Sequence, residues 1–183
     1  MKSPARAAVT GASSEPDRAK RVATFDLEDL ADLVHATVPP PFSLSRYAEH
    51  IARAASSFQT IIDAVAAPPM LTDQFMLESL WEHLERVNPA LVCLTVPFPG
   101  NLYGAFRIAH SIKSRRPDIG IALGGEYANT ELRRVADSRV FDYVDYVTLD
   151  DGERPLLSLI EHLAGTRPRT RLCRTFYRDK DRV

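Results

Sequence analysis

Between Pro89 and Glu153 the chain alternates short apolar runs with longer segments whose apolar residues recur at helical spacing. The runs Ala90–Thr95, Gly120–Leu123 and Tyr143–Val147 have the length of strands. Each leads into a loop of Gly, Pro or acidic residues: Val96–Asn101, Gly124–Tyr127 and Leu149–Glu153. After the first loop, Ala105, Ile108, Ala109 and Ile112 form the inner face of a helix capped by Asn101 and reaching about Arg116. A shorter helix opens at Thr130 or Glu131 and ends near Ser138. A third opens at Glu153 or Pro155, buries Leu156, Leu159, Ile160 and Leu163, and closes at Gly165. Strand–loop–helix units in series build a parallel sheet, whose right-handed crossovers bring the three loops to one edge. Open α/β sheets bind their ligands at that edge.

Upstream, Tyr47, Ile51, Phe58, Ile61, Ile62 and Val65 predict a helix over Ser43–Ala67, stopped by Pro68 and Pro69. A second, over Asp73–Val87, carries Phe75, Met76, Leu80, Trp81, Leu84 and Val87 and breaks at Asn88-Pro89. Phe25–Val38 reads in two ways. Leu27, Leu30, Leu33 and Val34 fit a helical face capped by Asp26, whereas Asp32–Val38 fits a first buried strand before Pro39. A helical turn followed by that strand is favoured, because a doubly wound domain needs a strand before its first long helix. Met1 to about Ala23 has few large apolar side chains and is expected to be disordered. The expected organisation is a loose arm over 1–24, an α/β domain over 25–166, and the start of a hairpin or linker over 167–183. In that last part Arg171–Arg178 alternates like a strand and Asp179–Asp181 resembles a hairpin turn, so half a hairpin is left at an unpaired edge. More polypeptide is therefore expected after Val183.

Composition narrows the function classes. The 183 residues are 45% hydrophobic and 26% charged, with net charge −1, which gives no global attraction to nucleic acid or an anionic membrane. The absence of a long apolar run or signal-peptide core points to the cytoplasm. Cys93 and Cys173 lie far apart, and Cys93, in a core strand, is expected to be a buried thiol. No Cys/His cluster, phosphate loop or nucleophile–base pair is present. His35, His50, His83, His110 and His162 each lack a second ligand at metal spacing. The arginines between Arg167 and Arg182 read as a solvated face or as an interface with the polypeptide expected beyond Val183.

Candidate chemistry therefore concentrates in the three loops. Gly124-Gly125 either lets a ligand approach the backbone or merely makes a tight turn. Phe98, between two prolines, either packs on a planar cofactor or plugs the core, while Thr95 and Asn101 offer hydrogen-bonding groups. Asp150, Asp151 and Glu153 surround Gly152 at a helix start, where the helix dipole alone favours acids.

Three segments in order, Pro89-Ala-Leu-Val-Cys-Leu-Thr-Val-Pro-Phe98, Ile121-Ala-Leu-Gly-Gly-Glu126 and Val144-Asp-Tyr-Val-Thr-Leu-Asp-Asp-Gly-Glu153, resemble the cobalamin-binding-type domain that precedes the barrel in B12-dependent radical SAM proteins. The resemblance covers under half the chain. It implies a Rossmann-like, flavodoxin-type three-layer sandwich with a mostly parallel sheet, here with helical additions at the N-terminus. It further implies a corrinoid at the carboxyl edge, lined by Thr95, Val96, Gly124, Gly125, Glu126, Gly152 and Glu153. In that family the corrinoid commonly relays a methyl group, while a barrel in cis or trans holds a [4Fe–4S] cluster and cleaves S-adenosylmethionine. The Cys-x-x-x-Cys-x-x-Cys triad is absent, so this polypeptide is expected to be non-catalytic by itself. The family's second strand and the Asp-x-His-x-x-Gly loop that ligates cobalt in methionine-synthase-type domains are also missing. The alternatives are a cofactor-free docking or regulatory domain of the same fold, or an unrelated flavodoxin-like binder of small molecules.

Overall fold

The structure, a computed structural model, describes residues 15–37, 58–130 and 137–179. The chain divides into two units, Met1–Leu44 and Ser45–Val183. In the first, Glu15–Thr37 is one helix, α1. Two expectations are corrected here. Residues 15–23, assigned to a disordered arm, are helical, and Asp32–Thr37, favoured as a strand, continues the same helix. The physical reason is an unbroken run of helix-compatible residues from Asp17 onward, with Glu15 and Asp17 at the positive end of the dipole. At the far end the Thr37 hydroxyl donates to the Leu33 carbonyl. Leu27, Leu30 and Leu33 remain exposed.

The second unit contains α2 (Phe58–Ala66), α3 (Leu71–Val87), β1 (Leu91–Thr95), α4 (Pro99–Arg115), β2 (Gly120–Gly124), α5 (Glu126–Thr130), β3 (Tyr146–Thr148), α6 (Glu153–Leu163) and β4 (Thr175–Phe176). Single 3₁₀ turns occupy Ser138–Asp142 and Arg169–Arg171. The expected helix start at Ser43 lies outside the described residues, as does most of the one expected from Thr130 or Glu131 to Ser138. The strand order is β1-β2-β3-β4. The first three run parallel, with Val92 opposite Ile121 and Ala122 opposite Tyr146. β4 runs antiparallel to β3. The result is an open, mostly parallel mixed sheet with helices, an α/β fold. Thr175-Phe176 was expected in a linker with an unpaired edge; instead it takes up the free backbone groups of β3, so this stretch belongs to the sheet.

Strand alternation sends Val92, Leu94, Ile121, Leu123 and Val147 to one face, against Leu102, Phe106, Ala109 and Ile112 of α4. α2 and α3 pack on α4 in turn. The opposite face joins Ala122 and Tyr146 to Leu159 of α6. That cover does not extend over β1, where Cys93 and Thr95 are exposed. Cys93 is thus not the buried thiol expected of a core strand; β1 is an edge strand with one face open. Among the described residues no helix is long and apolar enough to cross a membrane.

α4 is enclosed on nearly all sides, and its Arg107 is only 4% exposed. The guanidinium caps α2: Nη1 donates to the carbonyls of Val65 and Ala67 (2.7 and 2.9 Å) and Nη2 to that of Ala64 (2.8 Å). Its Nε lies 3.4 Å from the carboxylate of the fully buried Asp73. Asp73 in turn accepts from the Met70 amide at the start of α3 and from the Tyr103 hydroxyl (3.0 and 2.6 Å). One buried cation–anion pair therefore satisfies a helix C-terminus and a helix N-terminus together.

Replacing Arg107 with Met strands the Asp73 carboxylate, and a loss of about 3–5 kcal/mol is expected in urea unfolding. Burial, reinforced by the hydrogen bond to Asp73, pushes the Tyr103 phenol from its ordinary 10.0 up to about 12. The neutral form is thus favoured in the folded state. Stability from this group is complete below pH 10 and is lost as pH rises through about 12. The decline measured over that window should be shallower in Tyr103→Phe.

Candidate binding site at the carboxyl edge

The turns after β1, β2 and β3 meet at one rim. Val96 donates its amide to the Gly124 carbonyl (2.8 Å) and accepts from the Tyr127 amide (3.1 Å), so its peptide groups are satisfied by the neighbouring turn. The approach is close. A Cβ at Gly125, where φ is +104°, would sit 2.6 Å from the Val96 carbonyl oxygen, and one at Gly124 would sit 2.6 Å from Thr148 Oγ1. Packing between turns therefore requires both glycines, so the tight-turn reading accounts for them without a ligand.

The second and third turns are held by Asn129. Its side-chain amide donates to the Asp150 carbonyl (3.0 Å), and its Oδ1 accepts from the Asp150 amide. This clamp holds Asp150 in the left-handed region at φ 60°, where Arg174 pairs with its carboxylate at 2.5 Å. Gly152 follows at φ 83° as the N-cap of α6, with open space where a Cβ would stand.

A cavity of about 430 Å³ occupies this rim. Among the residues proposed from sequence it is lined by Thr95, Gly124, Gly125, Glu126, Gly152 and Glu153. Three others do not line it. Val96 is fully buried beneath the rim. Phe98 is 69% exposed as the N-cap of α4, neither on the cavity wall nor plugging the core. Asn101 lies in the first turn of α4 and is not its cap. The helix starts at Pro99, three residues earlier than a cap at Asn101 would put it, because proline suits a first turn; this removes Asn101 from the loop. Sequence reasoning missed Asn129 and Cys93, both of which line the cavity. An Asn shortly after a Gly-Gly turn was the available signal for the first.

The lining is acidic, with carboxylates at Glu126, Asp150, Asp151 and Glu153. Ligands of net negative charge would meet like charge there, whereas neutral or cationic ones would not. No protein-family model, curated protein or solved structure matches the chain. Among the described residues no group of His, Cys, Asp and Glu could hold a metal ion. His162 is at the other end of α6, its Nδ1 bonded to the Arg167 carbonyl at 2.9 Å.

Two glycine substitutions separate packing from conformation. Gly152→Ala meets no atom and is expected to cost only about 1–2 kcal/mol for its left-handed φ. Gly125→Ala adds a backbone clash and should cost clearly more, as denaturant midpoints will show. In hydrogen exchange, Asn129→Ala should deprotect the Asp150 amide.

Proposed function

We propose that this chain is a corrinoid-binding-type domain of Rossmann-like, flavodoxin-type architecture, non-catalytic alone and serving a radical SAM barrel in cis or trans. The observation that carries the reading is the convergence of the end of β1 and the turns after β2 and β3, far apart in sequence, on one cavity at the carboxyl edge of the parallel strands. These are the three segments on which the resemblance rests. The open face of β1 beside the cavity offers room for a ligand larger than 430 Å³.

The donor set fits such a group in part. Thr95, with its free hydroxyl, and the Glu126 carboxylate suit the amide-rich periphery of a corrin, and the acidic wall suits the positive charge of a cobalt(III) corrinoid. No imidazole lines the cavity among the described residues, so the chain's part is to hold the periphery and exclude water. A bound corrinoid would supply methyl-transfer chemistry. A second reading, a cofactor-free docking module, is favoured by Leu157, Ile160 and Leu163 on α6, the last two expected on its buried side but exposed instead.

Incubation with hydroxocobalamin followed by desalting should leave a red protein with a shifted visible spectrum. Thr95→Trp fills the rim from an exposed position and should lose that colour without loss of stability. Full recovery of free cofactor from the wild-type protein would overturn the corrinoid reading and favour the docking module.

A further inference from the structure

A second cleft, of about 390 Å³, lies at the opposite, amino-terminal end of the strands, where Ala90, Gly120 and Tyr146 begin or precede β1, β2 and β3. Arg169 lines it and is anomalous. Each other described arginine that is buried or half-buried has a carboxylate close by: Arg107 (Asp73, 3.4 Å), Arg116 (Asp118, 2.7 Å), Arg167 (Glu161, 2.6 Å) and Arg178 (Asp142, 2.6 Å). Arg169 has none among the described residues. Its guanidinium lies over the Tyr177 ring (4.3 Å) and near that of Tyr146 (5.9 Å). Nη2 donates to the Arg178 carbonyl (3.1 Å), while Nε is buried without a partner. A half-buried cation with an unmet donor is costly unless an anion joins it.

Two more unspent groups line the same cleft. Tyr146, 8% exposed overall, has no hydrogen-bond partner for its hydroxyl among the described residues. His162 commits Nδ1–H to the Arg167 carbonyl, which leaves Nε2 free. The other charges that line the cleft are already paired: Lys113 with Asp145 at 2.6 Å, Asp118 with Arg116 at 2.7 Å, and Arg178 with Asp142 at 2.6 Å. The C-terminal ends of α4 and α6 favour cations here, which accounts for Lys113. They do not account for Arg169, which lies in the 3₁₀ turn after α6.

We propose that this cleft binds the phosphoryl group of a small phosphate monoester, with Arg169 and Tyr146 as donors and His162 beside them. Donors on separate segments suit a tetrahedral oxyanion better than a planar carboxylate. The site is independent of the corrinoid reading, since it lies at the other end of the sheet.

Calorimetric titration of the full chain with phenyl phosphate tests it, with inorganic phosphate as a second probe and benzoate as the planar control. Saturable binding of phenyl phosphate at one site is expected, with benzoate weaker. Arg169→Gln should weaken it at least about tenfold, and Tyr146→Phe, which keeps the ring, severalfold. Thr95→Trp should leave it unchanged. Absence of saturable binding, benzoate binding as tight as phenyl phosphate, or unchanged affinity in Tyr146→Phe and in a folded Arg169→Gln would each overturn the proposal.

Discussion

The contact between the Val96 backbone and Gly125 sets the geometry of the carboxyl edge. A fully buried residue straight after a strand must have its peptide groups satisfied by other protein groups, and here the turn after β2 supplies a carbonyl and an amide. That exchange works only if the turns approach within the radius of a Cβ, which restricts position 125 to glycine. The same closeness places Asn129 on the next helix within reach of Asp150, so the third turn is fixed from the second. The rim is therefore a chain of backbone-level contacts. Side chains such as Thr95, Glu126 and Glu153 are left free of this work and face the cavity.

A similar economy operates on the helical side. Two helix ends, the C-terminus of α2 and the N-terminus of α3, need their carbonyls or amides satisfied in a layer with little access to water, and Arg107, Asp73 and Tyr103 meet that need as one cluster. A buried pair of this kind adds little net stability over a well-packed apolar alternative, but loss of either partner is severe. It also fixes how α2 and α3 sit on α4, since the fork of Arg107 reaches three specific carbonyls. A greasy contact would tolerate rotation; this one does not.

These two features show what the sequence does and does not disclose. Apolar periodicity depends on burial of one face, so α3, α4, α6 and the three parallel strands were legible to within a few residues. Arg107 was not, because an arginine on a helix reads as its solvent face and only the third layer encloses it. Asp32–Thr37 was misassigned since a short apolar run suits strand and helix alike, and its continuity with Leu27 and Leu30 decided the outcome. The strand-like alternation of Arg171–Arg178 was legible and contains β4, but its antiparallel pairing with β3 was not, because two residues with non-local partners carry no register signal. Of the residues proposed from sequence, the glycines and acids of the second and third loops line the cavity, as does Thr95. Phe98 and Asn101 were displaced by a helix start that proline advanced.

The two ends of the sheet carry opposite charge, and much of that contrast needs no ligand. Helix N-termini at the carboxyl edge favour Glu126 and Glu153, and helix C-termini at the other end favour Lys113 and Arg115. What helix dipoles leave unexplained is more informative. Asp150 is held in a left-handed conformation ahead of its helix, and Asp151 adds a second charge beside it. Arg169 lies beyond its helix, over the Tyr177 ring and short of one acceptor. The carboxylates crowd one rim, and a buried donor goes unmet at the other. Ligands complementary to the two ends differ in sign, so one molecule cannot serve both. On the two readings proposed above, a neutral or cationic group would occupy the acidic rim and an oxyanion the cleft beside Arg169.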